Sequence, residues 1–93
     1  MSEYIEIETE LSDDGRRIYF YTNLPLTTEG EKEQYASVAE MEEGSPVAQA
    51  LATQEGIAML EIEGDEMVIV PESDAPWHVI VSDVSAALKD FFL

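Results

Sequence analysis

Ser45-Pro-Val-Ala-Gln-Ala-Leu-Ala-Thr-Gln-Glu-Gly56-Ile-Ala-Met-Leu-Glu-Ile-Glu-Gly64-Asp-Glu-Met-Val-Ile-Val-Pro71 is the stretch from which the fold is read. Ser45 offers an oxygen to the orphan amides of a helix start, and Pro46 fits the first turn, where a missing N–H costs nothing. Val47, Ala50, Leu51 and Gln54 then recur at three- and four-residue spacing as a narrow stripe. Gly56 stands where a left-handed cap is wanted, so the helix is expected to end near Glu55. From Ile57 to Glu63 the period becomes two. Ala58, Leu60 and Ile62 fall on one face, and Ile57, Met59, Glu61 and Glu63 on the other. Gly64-Asp65 is a two-residue hairpin signal, because glycine supplies the positive φ of the favoured turns. Met67 to Val70 pairs back, and Pro71 stops the ladder.

Upstream, Glu3 to Glu10 alternates, with Ile5, Ile7 and Thr9 on one side and Tyr4, Glu6, Glu8 and Glu10 on the other. Such a strand has one wet face. Leu11-Ser12-Asp13-Asp14-Gly15 is a turn with two Asx-capable residues, and Arg16 to Tyr21 completes a first hairpin with Ile18 and Phe20 inward and Tyr19 and Tyr21 outward. Thr22 to Gln34 is polar and broken by Pro25 and Gly30, which predicts a long loop, mobile at Thr27 to Glu33. Ser37-Val-Ala-Glu40 is a capping box opening a short helix that Gly44 closes, with Val38 and Met41 inward and Tyr35 near its start. Downstream, Ser73 and Asp74 offer a cap and Pro76 a first turn. Trp77, Ile80, Val81, Val84, Leu88 and Phe91 then recur at helical spacing and are expected to pack on the sheet. The chain thus reads as one α+β domain over residues 1–93: two β-hairpins forming a four-stranded, mainly antiparallel sheet, helices on one face, order β-β-α-β-β-α.

A chain of 93 residues buries roughly 60 to 65% of the surface its unfolded form exposes, enough to fold without metal or disulfide. With no cysteine, this chain forms no disulfide, zinc–thiolate site or cysteine-ligated iron-sulfur cluster by itself. No apolar run approaches the length of about 20 residues that a membrane span needs. Met1-Ser2-Glu3 lacks the basic and apolar regions of a signal peptide, so a cytoplasmic location is expected. The net charge of −17, from 21 acidic and 4 basic residues, repels phosphate backbones and argues against nucleic acid as a partner. Three sources of that acidity stay open: a solvated exterior, adaptation to a salt-rich cytoplasm, and mimicry of a nucleic acid toward a basic protein site.

Phosphate loops, nucleophile elbows, zincin motifs and EF-hand loops are all missing, so no enzyme and no cofactor is expected. His78, the single imidazole, reads as a surface histidine or as a base lacking an identified partner. Asp13 with Asp14, and Glu42 with Glu43, read as solvated pairs or weak sites for a hard cation. Arg16 and Arg17 read as counter-charges to Asp13 and Asp14, or as an anion contact at the hairpin rim. Tyr19 and Tyr21 beside them suit a peptide-binding patch, or are simply exposed on a wet sheet face. Asp13, Asp14, Arg16, Arg17, Tyr19 and Tyr21 are therefore the candidate partner contact.

With Ser45-Pro46-Val47-Ala48-Gln49, Glu55-Gly56-Ile57 leading into a hairpin, an acidic turn and Trp77 opening the last helix, the chain resembles the N-terminal domain of the Nfu/NifU-type iron-sulfur cluster scaffold proteins. The likeness runs essentially the full length. The family's first hairpin carries a Thr-Pro-Asn-Pro-Asn turn, which is Ser12-Asp13-Asp14-Gly15-Arg16 here, while the apolar pair Ile18 and Phe20 is kept. Cluster ligation in that family resides in a separate domain with a Cys-x-x-Cys motif that this chain lacks. The resemblance implies an accessory domain associated with iron handling, which docks an iron-sulfur assembly component or client without binding iron through sulfur. The rival expectation is an acidic binder of a basic partner site, a nucleic-acid mimic or inhibitor unrelated to clusters. Neither expectation involves a membrane.

Overall fold

Three strands lead two short helices, a hairpin and a long helix: β1 (Ile7–Leu11), β2 (Ile18–Thr22), β3 (Lys32–Tyr35), α1 (Val38–Glu42), α2 (Pro46–Ala52), β4 (Ile57–Glu63), β5 (Glu66–Pro71) and α3 (Trp77–Phe92). The computed structural model describes residues 5–26, 31–54 and 56–92. The strands form one sheet in the order β1-β2-β5-β4-β3, with every neighbouring pair antiparallel. The α+β class holds, but the sheet has five strands where four were expected, and the order is β-β-β-α-α-β-β-α where β-β-α-β-β-α was expected.

The fifth strand is β3, inside the segment expected to be loop. Lys32-Glu33-Gln34-Tyr35 carries no apolar alternation, so periodicity is blind to it. Backbone pairing with β4 forms it, helped by a Lys32–Glu61 ion pair at 3.1 Å and a Gln34 amide bond to Glu61 at 3.2 Å. Residues Thr27 to Gly30, where mobility was expected, lie outside the described residues, as do Tyr4 and Glu55.

Register fixes which side chains share a face. Ile18, Ile69 and Leu60 make one row across β2, β5 and β4, and Phe20, Met67 and Ile62 make the next. Both rows are buried against Met41 of α1, Val47, Ala48 and Leu51 of α2, and Ile80, Val84 and Leu88 of α3. Burying each of these larger side chains contributes about 1.5–3 kcal/mol. Ile57 was expected on the outer face beside Met59, yet it is buried in this core. The ladder shifts register between Ile57 and Met59, and one irregular step exchanges the faces of the residues on either side of it.

The helix starts follow their caps. Ser37 Oγ accepts from the Glu40 N–H at 3.3 Å, and the Glu40 carboxylate reaches back to the Ala36 N–H at 3.4 Å. Ser45 Oγ accepts from the Ala48 N–H at 3.3 Å, with Pro46 first in the helix. α2 stops at Ala52, earlier than expected, while Gly56 turns the chain at φ +89°. The Tyr35 hydroxyl donates to Glu33 and accepts from the Ser45 N–H at 3.2 Å. Its ring lies over Gly44, where a Cβ would collide with it. This contact ties the edge strand to the α1–α2 junction.

In α3 the buried stripe is Ile80, Val84 and Leu88, flanked by partly buried Val81, Ala87 and Phe92. Trp77 and Phe91, expected in that stripe, remain 45% and 42% exposed. Helical periodicity fixes the direction of a side chain, and at the two helix ends little lies beneath to cover it. The expected Ser73–Asp74 cap is replaced by a backbone turn, in which Ala75 N–H donates to Glu72 at 3.0 Å and Pro76 supplies the first helical carbonyl.

Candidate functional site

All three helices contribute to the core on one side of the sheet, and the side chains of the other side stay outside that core. Across that open side run two rows, Glu10-Tyr19-Val68-Glu61-Gln34 and Glu8-Tyr21-Glu66-Glu63-Lys32. Val70 and Met59 form a third pair beside Val68. Tyr19, Tyr21, Val68, Val70 and Met59 therefore make a central apolar band, with Tyr21 39% and Met59 46% exposed. A groove of about 340 Å³ runs from Met59, Val68 and Val70 toward Gln34, Ala36 and Glu40.

Carboxylates frame the band, and the Tyr21 hydroxyl registers them. Partial burial first, then the charges of Glu10 and Glu66 and the neighbouring Tyr19, push it above its ordinary range. The phenol consequently stays a neutral donor throughout the physiological range.

The six residues expected as a contact do not form one surface. Asp13, Asp14, Arg17 and Tyr19 line a shallow groove with Glu10 at one end of the open face. Tyr21 lies further along the same face. Arg16 lines a different cavity, of about 420 Å³, with Val70, Pro71, Ala75 and Trp77. A bend at Gly15 and Arg16 precedes β2 and parts the two arginines.

The turn holding these residues is built on Asp14. Its carboxylate accepts from the Ser12 hydroxyl at 2.7 Å and the Arg16 backbone N–H at 3.0 Å, while Ser12 Oγ accepts from the Arg17 N–H at 3.0 Å. Gly15 completes the turn at φ +71°. The Ser12 and Arg16 hydrogen bonds, and more weakly the Arg16 guanidinium, hold the Asp14 carboxyl below its usual range. Neither arginine forms an ion pair with Asp13 or Asp14 among the described residues. The Ser12 hydroxyl and the Arg16 amide do the holding, and the Arg16 charge contributes less.

Elsewhere the chemistry is sparse. His78 is exposed and meets the Trp77 ring edge-on at 5.7 Å between centroids. Among the described residues no group of three or more His, Cys, Asp or Glu is arranged to hold a metal, and no helix is long and apolar enough to cross a membrane.

Val68, Val70 and Met59 are the residues that sequence reasoning passed over. The signal was present: Met67-Val-Ile-Val70 is apolar at four consecutive positions, and a strand apolar on both faces is ordinarily covered on both.

No family model matches the chain, and no curated protein matches it. Among solved structures, protein SAV1430 from Staphylococcus aureus superposes with a TM-score of 0.72 at 14% identity, over 89% of this chain and 98% of that one. At that identity the likeness shows a shared α+β fold.

Proposed function

We propose that this chain is a non-enzymatic domain that docks another protein, and that the docking serves iron-sulfur cluster assembly or delivery in the cytoplasm. The docking part rests on one observation: the uncovered sheet face carries Tyr19, Tyr21, Met59, Val68 and Val70 as a contiguous apolar band. A sheet in a two-layer domain usually turns polar residues to water on its free face, so a band of this kind marks a contact surface.

The cluster part is supported by the motif residues in which the chain resembles the Nfu/NifU N-terminal domain. Those residues also have tasks in the fold: Ser45 caps α2, Ala48 is buried in the core and Gly56 supplies a positive φ. With no cysteine in the chain, sulfur ligands come from the partner, which is an assembly component or a cluster-carrying client.

The test is affinity capture from an extract of the source organism on the immobilised chain. Recovery of cluster-assembly proteins or cluster-carrying enzymes is expected, and their absence removes the cluster role. A second reading, an acidic inhibitor seated in a partner's nucleic-acid site, draws on the net charge of −17. It requires that DNA or RNA displace the captured protein and that salt abolish its binding.

A further inference from the structure

Resting on the docking reading, we infer that the partner presents an apolar centre framed by lysine and arginine, and that it seats on β2, β5 and β4. The charge pattern of the open face carries this. Its central band is flanked on the β1 side by Glu8 and Glu10, at the Gly64 end by Glu66 and Glu63, and on the β4 side by Glu61. Opposing cations on that face are few. Lys32 is committed to Glu61, and Arg17 stands at one end beside Glu10 and Tyr19. An apolar partner without a basic frame would leave Glu8, Glu10, Glu63 and Glu66 partly desolvated and unpaired, which disfavours the complex.

The same pattern removes the other occupants. A second copy placed face to face would set glutamate rows against glutamate rows at the sheet-packing distance of about 10 Å, comparable to the screening length of about 8 Å in physiological salt. Nucleic acid and anionic membranes meet the same sign of charge. The size of the face bears on the kind of complex. Three strands about 4.8 Å apart, each contributing about five residues of about 3.4 Å, make a platform of roughly 14 by 17 Å. That area suits a transient complex rather than an obligate one.

The probe is a helical peptide whose leucine and tryptophan stripe is bordered on both sides by lysine, titrated into the isotope-labelled full chain and followed by amide NMR. Perturbations are expected at Tyr19, Tyr21, Met59, Val68 and Val70, with the α3 amides unmoved. Oligolysine is expected to bind about ten-fold more weakly, a difference of about 1.4 kcal/mol, and a glutamate-bearing version of the helix not at all. Met59→Thr with Val70→Thr should weaken the peptide about ten-fold with the charge kept. Glu8→Gln with Glu66→Gln should weaken it at low salt and much less at high salt. Both variants lie on the solvent face, and unchanged melting curves confirm that they fold. Perturbations centred on α3 or on the Asp13–Arg16 turn overturn the inference, as does equal affinity for oligolysine. Self-association of the chain, or preference for duplex DNA or vesicles containing phosphatidylglycerol, overturns it too. Any of these results leaves the capture experiment standing, whereas failure to capture a protein partner defeats the docking reading itself.

Discussion

Met67 and Ile69 point under the helices and are almost fully buried, while Val68 and Val70, of the same chemical kind and on the same strand, stay partly exposed on the other side. β5 sits at the centre of the sheet, between β2 and β4, so its position does not account for the difference. The helices do: α1, α2 and α3 all contribute their apolar stripes to one side. Two faces with similar residues thus carry different tasks. The covered face holds the fold together, and the open face contributes little to stability while exposing apolar area that only an outside molecule can bury.

That contrast is sharpest in its energetics. Ile69→Ala, which empties part of the core, is expected to cost about 2–5 kcal/mol. Val68→Thr, on the same strand, should cost less than about 1 kcal/mol. Urea unfolding followed by circular dichroism measures both, and equal losses would mean that the open face is covered after all.

A smaller effect is expected at Gly44, where the covered side is tied to the edge strand. Gly44→Ala forces the Tyr35 ring aside and with it the hydrogen bond from the Ser45 N–H. Loss of that bond and the accompanying displacement should cost about 1–3 kcal/mol. Combined with Tyr35→Ala, the Gly44→Ala substitution should cost much less than it does alone, since the collision is gone. Thermal melts of the single and double variants test this coupling.

The smallest effect belongs to the turn beyond the open face. Asp14 is held below its ordinary value of 3.8 by the Ser12 and Arg16 hydrogen bonds. A carboxyl lowered on folding contributes stability above its unfolded value and loses it as pH falls through the folded one. The deficit of Asp14→Ala relative to the parent chain should therefore be present at neutral pH and shrink steadily below 3.8. Denaturation midpoints across that range check it, and a deficit independent of pH would show that the carboxylate charge plays no part.

Much of the fold was legible because its signals are local. Ser37, Ser45 and Pro46 announce helix starts through hydrogen bonds made within three residues, and Gly15, Gly56 and Gly64 occupy positions that require positive φ. The inward set Ile18, Phe20, Leu60 and Ile62 follows from a period of two. β3 was illegible because its partner is distant in sequence: Lys32 pairs with Glu63 and Tyr35 with Leu60. The reversal of Ile57 arises from a register shift that leaves no mark on composition.

For the candidate site, Tyr19 and Tyr21 were found from alternation, and Arg16 was grouped with Arg17 from adjacency alone. The sequence by itself determined the class of the domain, the Ser37 and Ser45 caps, the glycine turns, its acidity and its lack of thiol chemistry, because these depend on residue type and short-range spacing. Only the tertiary structure decided that Met59, Val68 and Val70 join the tyrosines in one band and that Arg16 and Arg17 line different cavities. Which apolar face is covered depends on where helices far along the chain come to rest, and an apolar residue carries the same pattern whether its neighbour is a helix or water.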